Sequence, residues 1–379
     1  MKYLFIFGRD PVISKLELET YLKNKNISYE SILFSKNIYV LEIKSLNPKI
    51  IEGLGGTVKI AQVISESSKL DEIEYDLERA ELYLGTKNKL NYYITAYNER
   101  TQSFLEDYLK AYFKKQRLKA VYKKPKHETI EAEPSQLIKK NIIEEGLEII
   151  TFKNYIAKTI SVYNPFDLKK RDLGRPEKDF LKSISIRLAK ILINISGIKE
   201  NEVLLDPFCG VGTILQEALL KQINVIGSDS DKISIEQSEK NLKWLKINYK
   251  VNANFKLINT DCRLLSKYVQ RNSINAVVTE PYLGPYRLKL PSIREASNTV
   301  QELTVIYDNL FSQLGMLLKK DAPIVIITPI FKTYENKIIP LNINNIVDKY
   351  GFEILEKFDY MPPNSKILRV INVIKRKSF

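Results

Sequence analysis

Between about residues 200 and 330 the sequence alternates short apolar runs with helix-length stretches, and no other feature limits the fold as strongly. Residues 203–205, 224–227, 255–258, 276–278 and 324–327 read as buried strands. Between them, 214–220, 232–245 and 300–318 read as helices. Parallel strands need crossovers, and helices supply them, so this pattern predicts a mainly parallel, doubly wound sheet with helices on both faces. The segments 352–360 and 367–375 flank Met361-Pro362-Pro363-Asn364-Ser365 and predict an antiparallel hairpin at the sheet's edge.

Upstream the pattern differs. Residues 164–176, "NPFDLKKRDLGRP", form a polar connector bearing Pro and Gly, and a linker is expected over 164–178, before a domain covering 179–379. Just after it, Leu181, Ile184, Ile186, Leu188, Ala189, Ile191, Leu192 and Ile195 give 180–195 the broad apolar face of a helix. Residues 1–75 alternate a first strand, a helix around 15–23 and strands near 29–33 and 38–43, which predicts a small α+β segment. A second mixed segment, 76–163, contains a strand at 90–97 and a helix at 104–118.

At 379 residues the chain exceeds one average domain, and 44% hydrophobic residues suffice for proper cores. A formal charge of +14 points to a polyanionic partner. The stretch "KAYFKKQRLKAVYKKPKH" places Lys114, Lys115, Arg117, Lys123, Lys124 and Lys126 among Tyr112, Phe113 and Tyr122, a mixture that suits an RNA backbone with occasional stacked bases. A solvated helix face followed by a charged turn is the competing reading. Two cysteines, Cys209 and Cys262, with a single histidine, His127, exclude a disulfide framework and a four-thiolate zinc site, and no metal is expected. The N-terminus reads as a strand and no apolar run is long enough to span a bilayer, so a cytoplasmic protein without a membrane partner is expected.

The sharpest chemical signal is "VLLDPFCGVGT". A strand ends at Asp206, a turn containing Gly210 and Gly212 follows, and a helix begins near Thr213. Glycines let a ligand approach the backbone, and a helix N-terminus offers free N–H groups. In an open parallel sheet this turn lies where ligands bind. Asp229, in "VIGSDSD", closes the next strand, where an acid can accept two hydrogen bonds from ribose hydroxyls. Capping a helix that begins near Ser230 is the structural alternative. The third glycine of a pyrophosphate-binding turn is missing, so a nucleoside cofactor without phosphates, S-adenosylmethionine, fits better. Asp206 then lies near the cofactor's amino group. Asp261, in "NTDCRLL", can accept from the adenine amino group while the Cys262 N–H donates to the ring. A plain helix N-cap is its alternative.

At the end of the fourth strand stands "VTEPYLGPY", residues 278–286. An exocyclic base amine is delocalised into its ring and barely basic. Acceptors on its N–H groups, together with alignment to a methyl donor, make it reactive. Glu280 and the carbonyls near Pro281 can be those acceptors, and Tyr282 can stack on a flipped base. A polar strand end with a Pro-Gly turn is the structural alternative.

With these motifs, residues 150–375 resemble the THUMP-domain tRNA guanosine N2-methyltransferases, the archaeal and eukaryotic type acting at guanosine 10. The resemblance rests on "RDLGRP", "SISIRLAKILINISG", "DPFCGVGT", "IGSDSD", "TDCRLL" and "KILRVINVIKR". It implies a Rossmann-like α/β methyltransferase domain behind an N-terminal ferredoxin-like segment and a THUMP RNA-binding module. It also implies S-adenosylmethionine as cofactor and a guanosine N2 amine of tRNA as substrate. Asp206, Phe208, Cys209, Gly210, Gly212 and Thr213 fall on the first cofactor motif, Asp229 and Ser230 on the ribose side, Asp261 and Cys262 on the adenine side. The family's Asp-Pro-Pro-Tyr-Gly motif becomes Thr279-Glu280-Pro281-Tyr282-Leu283-Gly284 here. Either Glu280 replaces the acid with one methylene more, or Tyr282 keeps the tyrosine's place and Thr279 takes the first position. Methylation of another RNA base amine (adenine N6 or a ribosomal RNA guanine) and an inactive RNA-binding protein are the alternatives. A small activating protein partner is compatible with all three.

Overall fold

β1 (Lys2–Phe7) sends Tyr3, Phe5 and Phe7 to one face and Leu4 and Ile6 to the other, and all five are buried. A strand apolar on both faces needs a covered place within a sheet, and β1 lies between two neighbours. It belongs to the first of two compact units, 1–171 and 172–379, in a computed structural model that describes residues 1–96, 99–124, 132–178, 184–361 and 366–377.

The first unit continues with α1 (Pro11–Asn24), β2 (Tyr29–Ser35), β3 (Ile38–Ile43), β4 (Thr57–Glu66), α2 (Leu70–Arg79), β5 (Lys89–Ala96), α3 (Glu99–Lys115), β6 (Lys119–Tyr122), α4 (Pro134–Lys139), α5 (Ile142–Glu145), β7 (Gly146–Phe152) and β8 (Tyr155–Val162). Among the described residues they form one sheet in the order β2-β3-β1-β4-β8-β7-β5-β6. β5 runs parallel to β6 and β7, and the other pairs are antiparallel. β4 pairs with β8 from Lys59 to Glu66, so the segments on either side of residue 75 share one sheet.

A buried charge pair crosses the middle of this sheet. Lys59 Nζ lies 2.7 Å from Glu148 Oε1, and neither side chain is more than 1% exposed. The Thr95 hydroxyl donates to Glu148 Oε1 at 2.8 Å and the Thr159 hydroxyl to Oε2 at 2.6 Å. Losing the cation strands a buried carboxylate, so Lys59→Met is expected to lower stability by about 3–5 kcal/mol. Urea unfolding of that variant measures the loss, and Lys59→Met with Glu148→Leu together should cost less than Lys59→Met alone.

The aromatics of the Lys-rich stretch pack on the core, one fully and two in part. Phe113 is buried, while Tyr112 and Tyr122 pack against the same cluster and Tyr122 stacks on Tyr92 at 5.3 Å. The expected base-stacking rings are therefore occupied with packing. Lys114, Lys115, Arg117 and Lys124 are exposed and Lys123 is half-buried, with Lys114 and Lys115 in the last turn of α3, where cations offset the helix dipole. Tyr97, Lys126 and His127 lie outside the described residues.

Where a polar connector is expected, α6 (Pro165–Gly174) forms instead. Asn164 accepts from the Phe166 N–H at 3.0 Å and Pro165 sits in the first helical position, so Asn-Pro starts a helix here.

In the second unit α7 (Ile186–Ile195) begins later than expected, behind a Ser185 cap whose side chain accepts from the Leu188 N–H. Phe180 and Leu181 lie outside the described residues. The elements β9 (Val203–Asp206), α8 (Thr213–Leu220), β10 (Asn224–Asp229), α9 (Lys232–Asn248), β11 (Phe255–Asn259), β12 (Ala276–Thr279), α10 (Ile293–Leu317), β13 (Ile324–Lys332), β14 (Ile338–Pro340), α11 (Ile343–Lys349), β15 (Phe352–Tyr360) and β16 (Ile367–Arg376) follow. The sheet order is β11-β10-β9-β12-β13-β16-β15, with β14 beside β13. The first five are parallel, and β16 and β15 close the edge antiparallel, as expected from the sequence. Residues 362–365, the expected hairpin turn, lie outside the described residues. On one face α10 lays Leu303, Tyr307, Leu310, Phe311, Leu314 and Leu317 on the strands. That helix starts seven residues before the expected one, because Ser292 and Glu295 form a capping box ahead of its apolar stretch.

Candidate functional site

From β9 the chain runs outward through β10 to β11, then returns to place β12 on the other side of β9. At such a reversal two adjacent strands send their following loops in opposite directions and a crevice opens beyond their carboxyl ends. Asp206 ends β9 and Thr279 ends β12. Their side chains meet there, the Thr279 hydroxyl donating to Asp206 Oδ1 at 2.7 Å. The Phe208 N–H donates to the same oxygen at 3.2 Å.

Asp206 is 1% exposed. Burial pushes its carboxyl up to about 7, against the two hydrogen bonds that favour its charge, and the carboxylates of Asp229 and Glu280 push in the same direction as burial. The sequence-expected acids are thus close enough to feel one another.

The bend after Asp206 is made by Gly210 at φ +51° and Gly212 at φ +83°, left-handed conformations that side chains rarely adopt. A Cβ on Gly212 would lie 2.5 Å from Ser238 Oγ, so close packing requires that glycine. A Cβ on Gly210 would meet nothing within 4 Å, so the backbone faces open space where a ligand can approach. The Gly210 N–H donates to Asp229 Oδ2 at 3.0 Å, and the Asp231 N–H donates to Asp229 Oδ1 at 3.0 Å. Asp229 therefore orients the bend, while the cap of α9 is Asp231, which accepts from the Ile233 N–H. Ser230 is exposed beside it, and Cys209 and Thr213 are buried in the bend.

Asp261 follows β11. It caps the 3₁₀ turn of Cys262–Lys267 through the Arg263 N–H and also accepts from Arg263 Nε and Nη2, each at 2.9 Å. That hydrogen-bonded arginine holds its carboxyl below the usual range. Burial pushes the Cys209 and Cys262 thiols up, which makes both poor nucleophiles.

Glu280 and Pro281 leave β12 for a loop without regular structure that runs to Ser292. Pro281 is buried and Tyr282 is 50% exposed. The Glu280 side chain is only 10% exposed, and burial pushes its carboxyl up while Arg369 pulls it down. Arg369 Nε lies 3.1 Å from Glu280 Oε1, yet off the line of a hydrogen bond, and neither of those atoms has a hydrogen-bond partner among the described residues. The carboxylate thus keeps its charge partner and an acceptor oxygen that no donor uses. Sequence reasoning passed over Arg369. An arginine among the apolar residues of "KILRVINVIKR" was the available signal.

The crevice thus unites Asp206, Gly210, Gly212, Asp229, Thr279 and Glu280, with Asp261 on the next strand end. The cations singled out in the sequence lie in the first unit.

The family described as "RMKL-like, methyltransferase domain" matches residues 178–338. The probable tRNA (guanine(10)-N2)-dimethyltransferase of Methanothermococcus thermolithotrophicus is 31% identical over 139 residues, covering 37% of this chain and 77% of that protein. The chain belongs to the tRNA (guanine(10)-N2)-dimethyltransferase family. The protein of that name from Methanothermobacter thermautotrophicus is 29% identical over 194 residues, which cover 51% of this chain and 49% of the relative, about half its length. A second family, described as "DNA methylase", matches 67–240, a span that crosses the boundary between the units and stops before Glu280. Among solved structures, TrmN from Thermus thermophilus superposes over 100% of both chains with a TM-score of 0.56 at 12% identity. A possible methylase from Clostridium difficile does so with a TM-score of 0.52 at 16% identity. At such identities the likeness is one of fold: the second unit is an α/β methyltransferase domain.

Proposed function

We propose that the chain is an S-adenosylmethionine-dependent methyltransferase acting on the exocyclic N2 amine of a guanosine in tRNA, and that the first unit contains a THUMP-type RNA-binding module. The observation that carries this reading is Glu280, a buried carboxylate at the end of β12, directly across the strand reversal from the bend at Gly210. When bound, S-adenosylmethionine supplies an electrophilic methyl carbon on a cationic sulfur. Gly210 leaves room for it, Asp229 receives ribose hydroxyls and Asp206 faces its ammonium. Asp261, oriented by Arg263, lies on the adenine side.

Glu280 accepts hydrogen bonds from the target amine and would take the proton that the nitrogen sheds as its new N–C bond forms and the methyl's bond to sulfur breaks, the sulfur keeping the electron pair and S-adenosylhomocysteine leaving. Arg369 opposes the rise that burial imposes on the pKa of that acid and so favours its ionised form. Because the Thr279 hydroxyl serves Asp206, Glu280 takes the place of the family's acid. Tyr282, half-exposed at the lip, stacks on the extruded base.

Mass spectrometry of nucleosides from unmodified tRNA treated with the protein and the cofactor should show methyl transfer to guanosine N2. Label on another base, or cofactor binding without transfer, would overturn the reading. The exposed cations of the first unit contact the RNA backbone. Neutralising Lys114, Lys115, Lys123 and Lys124 together is expected to reduce the slope of log affinity against log salt by roughly 3. An unchanged slope would mark them as ordinary solvated surface.

A further inference from the structure

The segment that follows α6 is built into the cofactor bend. Arg175 is 4% exposed, and its Nη1 donates to the Thr213 hydroxyl at 2.9 Å. Nη2 lies 3.0 Å from Asp172 Oδ1, on a side chain that is 38% exposed. Nε is buried with no hydrogen-bond partner among the described residues. Two residues on, the Glu177 N–H donates to Asn241 Oδ1 at 2.9 Å. The fully buried Asn241 in turn donates to the carbonyls of Glu177 and Val211. One asparagine thus ties this segment to the bend of residues 206–213.

The placement is electrostatically odd. Thr213 opens α8, whose N-cap, Gly212, supplies no side-chain acceptor. A helix N-terminus carries positive partial charge, and a buried guanidinium there adds more of the same sign. The partner in reach, Asp172, is partly solvated, and one N–H stays unused. A cation and a helix N-terminus converging on one place form an anion site. S-adenosylmethionine has one anionic group, the carboxylate of its amino-acid tail. With Asp229 on the ribose side and Asp206 facing the ammonium, that tail extends along Gly210–Thr213 toward α8.

We propose that Arg175, together with the first turn of α8, binds the carboxylate of the cofactor's amino-acid tail. This rests on the cofactor reading above and assigns a function to the arginine of "RDLGRP". Arg175 is then a binding residue, beyond its part in fixing the linker.

Calorimetry on the full chain tests it with two ligands. S-adenosylhomocysteine carries the carboxylate, and 5′-methylthioadenosine lacks the whole amino-acid tail. Arg175→Met is expected to weaken S-adenosylhomocysteine roughly tenfold to a hundredfold and to leave 5′-methylthioadenosine unchanged. Arg175→Lys, which keeps the charge but loses the fork, should give a smaller loss for the first ligand only. Decarboxylated S-adenosylmethionine should bind wild type and Arg175→Met equally. Equal losses for both ligands in both variants would overturn the proposal in favour of a purely structural clamp, as would no loss for S-adenosylhomocysteine. If the wild-type chain binds 5′-methylthioadenosine but gains nothing from the amino-acid tail, the carboxylate site alone falls. If it binds neither ligand, the cofactor reading falls with it.

Discussion

Glu280→Gln is expected to slow methyl transfer to tRNA by roughly 10²–10⁴-fold while leaving the affinity for S-adenosylhomocysteine nearly unchanged. The substitution keeps the shape of a buried side chain but removes the charge that holds the amine and receives its proton. Single-turnover transfer and calorimetry separate the two quantities, and a parallel loss of cofactor affinity would mean that Glu280 belongs to the cofactor pocket. Arg369 makes the prediction sharper. Burial raises the Glu280 pKa and Arg369 opposes that rise. Removing the cation leaves burial unopposed, so Arg369→Met should move the acid limb of the transfer rate to higher pH. Its activity should then recover in part toward alkaline pH, whereas Glu280→Gln should not recover at any pH. A merely structural arginine would lower the rate without moving the limb.

The parallel sheet was legible because its central strands β9, β12 and β13 are largely buried and appear in the sequence as apolar runs, while β10 and the edge strand β11, where Lys256 is exposed, keep enough apolar residues to continue the alternation. The turn at Gly210 was legible for a related reason: few residues besides glycine tolerate positive φ beside an open ligand face. Less visible were features that depend on side chains meeting across the fold. Glu280 and Arg369 are separated by 89 positions in sequence, and only the antiparallel placement of β16 beside β13 brings them together. Arg175 sits in a stretch whose Pro and Gly suggest an exposed linker, yet its own side chain is buried and donates to the Thr213 hydroxyl, while Asn241 holds Glu177 two residues on. Along the Lys-rich stretch packing took the rings that the sequence offered. Tyr112, Phe113 and Tyr122 were visible as aromatics among cations, but helical and strand geometry turns them inward. Aromatic interleaving on a helix–strand pair reports packing before it reports recognition.

Asp206 leads to the second large effect. In the free protein its carboxyl titrates at about 7 rather than near the ordinary 3.8. Folding therefore favours the protonated form, and this group makes the fold less stable as pH rises from about 4 to about 7, the range in which the unfolded carboxyl has already lost its proton. An ammonium placed beside Asp206 reverses the preference, because an adjacent positive charge stabilises the carboxylate. Cofactor binding below pH 7 must then expel a proton, and the affinity for S-adenosylhomocysteine should fall about tenfold for each pH unit below 7. Calorimetry in buffers of different ionisation enthalpy should register close to one proton released at pH 6 and far less at pH 8. Asp206→Asn has no proton to release, so its affinity should be flat over that range and weaker than wild type at pH 8 by roughly tenfold to a hundredfold. An affinity that does not vary with pH in the wild-type chain would place the ammonium away from β9 and separate Asp206 from the cofactor. It would leave that acid the role of accepting from the Thr279 hydroxyl and the Phe208 N–H.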